Sequence, residues 1–252
     1  MKIILVAICG VIGFGGLQAA LAQGRQTQQP SLMSIVGEPF SGVRTYQGAR
    51  NFIGGNRIDR GTTERLYRDG KGRTRVERDT PAEVLARNPR MEPVQITIND
   101  PLSGDRIELR AQSKTAMIFH GGAAPAAAPL KTEPPVSFVF AGRVYSGTDQ
   151  GWSKPAALGE KSFDGLRATG QRRQYTLPIG VVGNEKPIVV TVDQWFSPEL
   201  SLIVARTGTT SIAGEFGMQV ENIVHGEPDA GLFLIPADYR RVDVPAREAR
   251  AH

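Results

Sequence analysis

The chain has 252 residues, a formal net charge of +5, 40% hydrophobic residues and one cysteine, Cys9. Cys9 lies in an apolar N-terminal segment that carries the marks of removal, so the mature chain has no thiol. Disulfides, a thiol nucleophile and thiolate metal sites are thereby excluded together.

Lys2 supplies a positive start, residues 3 to 17 (IILVAICGVIGFGGL) form an apolar run, and Ala20-Leu21-Ala22 ahead of Gln23 is a small-x-small cleavage site. The run falls short of the ~20 residues of a membrane span. Gly10, Gly13, Gly15 and Gly16 weaken it further as a helix. Residues 1 to 22 are therefore read as a signal peptide cut between Ala22 and Gln23, leaving 230 residues. The mature protein is expected to be exported, periplasmic or extracellular, without a stable membrane span. Ile8 stands before Cys9 where lipidation needs a small residue.

Residues 57 to 78 (RIDRGTTERLYRDGKGRTRVER) hold eight Lys or Arg against four Asp or Glu. Export argues against a nucleic-acid partner and leaves an anionic envelope surface, lipid head group or polysaccharide as the partner such charge fits. The plainer reading is a solvated strand face of interleaved Arg and Glu.

Gln23 to Pro30 (QGRQTQQP) is polar and aperiodic, and residues 23 to 39 read as a disordered leader. A β-rich domain is expected from 40 to 240. Residues 62 to 68 and 73 to 78 flank Asp69-Gly70-Lys71-Gly72, a turn sequence between two strands. Thr80-Pro81-Ala82-Glu83 has the form of a capping box opening a short helix that Asn88-Pro89 stops. Val94, Ile96 and Ile98, then Ile107 and Leu109, alternate with polar residues across the turn NDPLSGD, which predicts a hairpin with Asp100 capping the turn and Asp105 in water. Residues 121 to 135 (GGAAPAAAPLKTEPP) are a Gly, Ala and Pro tract, an insertion between strands rather than a linker, because each half alone would have a thin core.

Residues 136 to 141 (VSFVFA) and 188 to 192 (IVVTV) are apolar on both sides and read as central strands. Leu200, Leu202 and Val204, and Phe216, Met218 and Val220, give two more strands with alternating faces. Glu227-Pro228-Asp229 opens a single turn through Leu232 and Phe233, and residues 241 to 252 are a flexible tail. The connections are too short for crossover helices, so the sheet should be antiparallel.

Catalytic signatures fail. There is no G-x-S-x-G, no S-x-x-K and no phosphate loop, which argues against nucleotide binding. His120, His225 and His252 have no partners at zinc spacing, so no metal and no cofactor are expected. A hydrolase built on His120 or His225 ranks last among the function classes. Phe138, Phe140, Trp195 and Met218 are apolar residues that either fill the interior of a curved sheet or line a cavity for an apolar guest. Arg65, Arg68, Arg73 and Arg75 are the candidates for a cationic rim.

LYRDGKGRTRVE (66 to 77), ITINDPLSG (96 to 104), TLPIGVVGNEKPI (176 to 188), WFSPEL (195 to 200) and NIVHGEPDAGLFLIPADY (222 to 239) together resemble a family of uncharacterised bacterial secreted proteins. The likeness spans most of the mature chain, and departs from it at 121 to 135 and at Gly70, where the family more often has Ser. The ending, a strand, a turn and LFLIPADY, is similar to the last part of lipoprotein-carrier-like domains. That resemblance implies a half-barrel of antiparallel strands sheltering acyl chains, and carries over no functional residue.

The expected architecture is mainly β: a single curved antiparallel sheet, half-barrel or sandwich-like, with two or three short helices. The expected function is non-enzymatic binding of a lipid or other amphiphile in the curved sheet. A structural or protein-interaction module of the envelope, with an envelope protein as partner, is the alternative.

Overall fold

The computed structural model describes residues 38–51, 55–121, 130–131, 133–140, 143–145, 150–211 and 214–245. The expected signal peptide and its expected Ala22–Gln23 cleavage site, nearly all of the expected leader, most of the 121–135 tract and the end of the expected tail lie outside the described residues.

Fourteen strands are described, in chain order β1 (Phe40–Asn51), β2 (Arg57–Arg68), β3 (Thr74–Asp79), β4 (Val94–Asp100), β5 (Asp105–Arg110), β6 (Thr115–His120), β7 (Phe138–Phe140), β8 (Arg143–Tyr145), β9 (Ala156–Phe163), β10 (Leu166–Leu177), β11 (Ile188–Ser197), β12 (Leu202–Thr210), β13 (Gly214–His225) and β14 (Arg240–Val244). Helix α1 (Ala82–Arg87) and a 3-10 turn (Ala230–Phe233) are the described helical elements.

Twelve strands form one open, curved sheet in the order β14-β6-β5-β4-β3-β2-β1-β13-β12-β11-β10-β9. Two antiparallel meanders, β1 to β6 and β9 to β13, meet where β1 pairs with β13 from Phe40↔His225 to Ala49↔Glu215. This is the mainly β, half-barrel class that alternation and short connections predict. Irregularities at Ser41/Val43, Gly170/Gln171 and Trp195/Phe196 interrupt the register, and such bulges bend strands and raise local twist.

Local chemistry sets the turns. Asp69 Oδ1 accepts from Lys71 N and Arg73 N, and Gly72 takes φ 82°, closing the β2–β3 hairpin. Asp100 Oδ1 accepts from Leu102 N, the expected cap of the β4–β5 turn. Asp105, expected in water, instead bonds His120 Nδ1 at 2.7 Å across the β5–β6 pair.

Three sequence expectations meet a different outcome. Thr80 does not cap α1, because its Oγ1 donates to Glu92 O at 2.7 Å and Pro81 takes the cap position without a side-chain bond. Residues 138 to 140 do not join the main sheet; they pair with β8 in a separate two-stranded unit lying on it. Residues 240 to 244, where the tail was expected to begin, form β14, which pairs with β6 in parallel at the sheet edge.

The core has three parts. Phe40, Leu66, Leu166, Ala168, Leu200, Leu202, Val204 and Val220 form one cluster around the β1–β13 junction. Ile98, Leu109, Ala116 and Phe233 form a second, where the 3-10 turn packs on β4 to β6. Val136, Phe138, Tyr145, Tyr175, Leu177, Ile188, Val190 and Val192 form the third, between the β7–β8 unit and strands β10 and β11.

Candidate functional site

The connection from β6 to β9 has to span the sheet, since these strands lie near opposite edges of it. Residues 130–131, 133–140 and 143–145 of this connection form a strap over β10, β11 and β12. Ser201 Oγ donates to Leu130 O at 3.2 Å, Gln194 Nε2 donates to Pro134 O at 2.9 Å, and Arg206 Nη1 reaches Ser137 O at 3.5 Å.

Directly paired residues of an antiparallel sheet share a face. Beneath the strap, Leu177↔Ile188, Tyr175↔Val190 and Arg173↔Val192 form three successive rows, apolar but for Arg173. Val136, Phe138 and Tyr145 of the strap close over this floor. The Phe138 and Tyr145 rings stack at 4.9 Å between centroids, Tyr145 lies 5.1 Å from Tyr175, and Trp152 meets both Phe138 and Tyr175 edge-on.

The next row carries polar groups beside Met218: Gln171↔Gln194↔Arg206↔Met218↔Tyr46 runs across five strands. Gln194 is fully buried; its Nε2 donates to Glu133 Oε1 at 2.9 Å, and its Oε1 accepts from Arg206 Nη2. Burial pushes the Glu133 carboxyl above the usual carboxylate range, although Gln171, Gln194 and the Arg206 charge pull it down. Burial lowers the Arg206 pKa, against the opposing charges of Tyr46 and Glu133. Arg206 Nε is buried and has no hydrogen-bond partner among the described residues. Beside this row, fully buried Glu64 accepts from Arg44 Nε at 2.8 Å and Arg78 Nε at 2.6 Å.

Of the four apolar residues singled out from sequence, Phe138 does not share a cluster with Trp195 and Met218. Phe138 lies in the strap, within the cluster that contains Tyr175. Trp195 packs with Phe163, 5.6 Å between ring centroids, against the other large cluster. Met218 also borders that cluster, but Gln194 rather than Trp195 shares its row. The side chain of Phe140 lies outside the described residues.

The four arginines of the expected rim are held by groups of the protein itself. Arg65 bonds Glu77 and Asp79, Arg73 bonds Asp69 and lies over Phe233, and Arg75 bonds Glu77 and Leu232 O. Arg68 is 1% exposed, donates to Glu38 O and Leu200 O, and lies over the Phe40 ring; burial lowers its pKa to about 10. Sequence reasoning missed Gln194, Arg206 and Glu133. A polar residue at the buried phase of an otherwise apolar strand, Gln194 following Val190 and Val192, was the available signal.

His120 contacts Asp105 and Asp243 at an exposed sheet edge, and His225 Nδ1 lies 3.7 Å from Glu199. A depression of about 230 Å³ near the latter is lined by Glu160, Arg167, Thr169, Pro198 and Glu199. Among the described residues no group of three His, Cys, Asp or Glu has metal-holding geometry, and no helix is long and apolar enough to cross a membrane.

No family model matches the chain, and no curated protein matches it. Solved structures that it resembles include PNGF-II, at 9% identity over 83% of this chain and TM-score 0.36; the chain spans only 32% of that protein's length. LprF from Mycobacterium bovis matches at 10% identity over 84% of this chain and 95% of that one, TM-score 0.33. A LolA superfamily protein from Nitrosomonas europaea matches at 10% identity over 86% and 96%, TM-score 0.29. All three scores lie below 0.5, and the fold description rests on strand order and register.

Proposed function

We propose that the mature protein is an exported, non-enzymatic binder of an apolar or amphiphilic ligand, lipid-like, held between the curved sheet and the strap. The observation that carries this reading is the nature of the cover. The floor formed by Tyr175, Leu177, Ile188, Val190 and Val192 is closed by a connection between distant strands, whose apolar contribution centres on Val136, Phe138 and Tyr145. Such a cover can lift without breaking any ladder of the main sheet. The space it leaves would be lined by apolar side chains with a few polar groups at one end, as ligand pockets are.

Native mass spectrometry of the mature protein purified from its own envelope, followed by organic extraction, tests this. A co-purifying acyl or isoprenoid species is the expected result, and Phe138→Ala should alter its retention while Trp195→Ala, away from the strap, should not. Protein that is empty from its envelope and stays empty when offered amphiphiles would overturn the reading.

An envelope interaction module using a free sheet edge ranks second. Glu160 and Lys161 on β9, and Arg240, Arg241 and Asp243 on β14, place charges on both terminal strands, and charged edges oppose strand addition. A hydrolase ranks third, since His120 and His225 are exposed and their ring nitrogens face carboxylates.

A further inference from the structure

Resting on the reading that an amphiphile takes the floor beneath the strap, we propose that this ligand carries an oxyanion head group, carboxylate or phosphate, seated at Arg206 and Gln194. In the structure the Glu133 carboxyl group accepts from Gln194 and lies near the Arg206 charge.

The polarity of the contacts gives the first argument. From the sheet, Gln194 Nε2 and the Arg206 guanidinium donate; from the strap, Glu133 Oε1, Pro134 O and Ser137 O accept. Gln171 adds a further side-chain hydrogen bond to Glu133. A ligand that displaces the strap removes these acceptors and has to bring its own, because buried donors left without partners cost roughly 1–3 kcal/mol each.

Charge gives the second. Arg44, Arg78 and Arg206 gather around this end of the floor with Glu64 and Glu133 as counter-charges, and Tyr46, which senses Arg44, Glu64, Arg78 and Arg206, lies between them. Glu64 is held by Arg44 and Arg78. Once Glu133 leaves with the strap, Arg206 has no carboxylate of its own. Its buried Nε, already without a partner among the described residues, completes with Nη2 a fork of the geometry that binds carboxylate or phosphate through two donors.

The floor fixes the tail. From the Gln171–Gln194 row to the Leu177–Ile188 row the strands run six residues, about 20 Å, a length suited to an acyl chain. A neutral apolar guest would satisfy the floor and leave Arg206 and Gln194 unanswered.

The test uses the full mature chain, titrated calorimetrically with laurate, dodecyl phosphate and dodecanol below their micelle concentrations. Laurate and dodecyl phosphate are expected to bind at least about tenfold tighter than dodecanol, the scale of a charge-assisted hydrogen bond. Whichever of the two anions binds tighter separates a fatty-acid-like from a phospholipid-like head. Arg206→Met should abolish the preference for anions and keep dodecanol binding. Glu133→Gln, confined to the strap, should tighten all three probes several-fold, because an internal group that holds the strap closed lowers apparent affinity by the fraction of closed molecules. Equal binding of all three by the wild type, or a preference for anions that persists in Arg206→Met, overturns the head-group inference and leaves the apolar-floor reading standing. No binding of any probe by the wild type or by Phe138→Ala overturns both.

Discussion

The indole of Trp195 lies flat against the backbone of Gly170, so that a Cβ at Gly170 would stand 2.6 Å from Cε3 of the ring. The two residues are direct partners across β10 and β11. An aromatic ring covering a strand glycine buries the bared backbone, and the glycine in turn lets the ring lie close. Gly208 and Phe216, paired across β12 and β13, repeat the arrangement.

Gly170→Ala is therefore expected to destabilise the fold by about 1–3 kcal/mol, the range of overpacking, despite the better strand propensity of alanine. Urea unfolding followed by Trp fluorescence should show a lower midpoint at unchanged slope. Adding Trp195→Leu should recover part of the loss, since the clash leaves with the ring; strictly additive losses would mean that the ring is not the obstacle.

Glu64 is the acceptor on which Arg44 and Arg78 converge. Glu64→Gln preserves volume and removes the charge both guanidinium groups face, with an expected loss of about 3–5 kcal/mol, because breaking a buried ion pair strands its partners. Asp193→Asn, which breaks the half-exposed pair with Arg172, should cost less than about 1 kcal/mol. Equal losses from the two would show that Glu64 is not desolvated in the way its burial implies.

How much of this was legible in the sequence depends on whether a residue's role is local. Val94 to Leu109 and the Asp69–Gly72 turn announce their hairpins through alternation and turn chemistry, which are properties of neighbouring residues. Residues 136 to 141 read as a central strand because apolarity records burial and not what does the burying; here Val136 and Phe138 are cover, and the sheet is Val190 and Val192. The rim arginines illustrate the same limit. Charge at 57 to 78 is plain in the sequence, but that Glu77 takes both Arg65 and Arg75, or that Arg68 turns inward to Leu200 O, depends on pairings over distances up to 132 residues. Arg206 and Glu133 are brought together by a long crossing connection, and nothing near either residue signals it.

The strap should be loosened separately from the sheet. Phe138→Ala removes the ring that stacks on Tyr145 and contacts Tyr175 and Trp152, losing roughly 3–5 kcal/mol of contact, concentrated on a segment outside the main ladder. Limited proteolysis is expected to cut the 121–135 region many times faster in this variant, with a smaller effect on sites between β2 and β5. Uniformly faster cleavage at all sites would instead mean that the strap and the sheet unfold as one unit.

The parallel pairing of β14 with β6 should depend on pH through His120. Its Nδ1 contacts Asp105 Oδ1 at 2.7 Å on β5 and its Nε2 contacts Asp243 Oδ1 at 3.1 Å on β14, and these two carboxylates, Asp105 foremost, raise its pKa above the ordinary 6.5. A raised histidine pKa means that the stabilisation is full below the unfolded value and is lost as pH rises through the folded one. Hydrogen exchange at Arg241 to Val244, corrected for intrinsic rates, should thus show protection falling from about pH 6 to about pH 8, the range in which histidine loses its charge. His120→Gln keeps a hydrogen-bonding side chain without the titrating charge, and should flatten that dependence. Protection that stays constant across the range in the wild type would detach β14 from His120 and leave its backbone ladder to β6, from Arg240↔Thr115 to Val244↔Phe119, as what holds the edge.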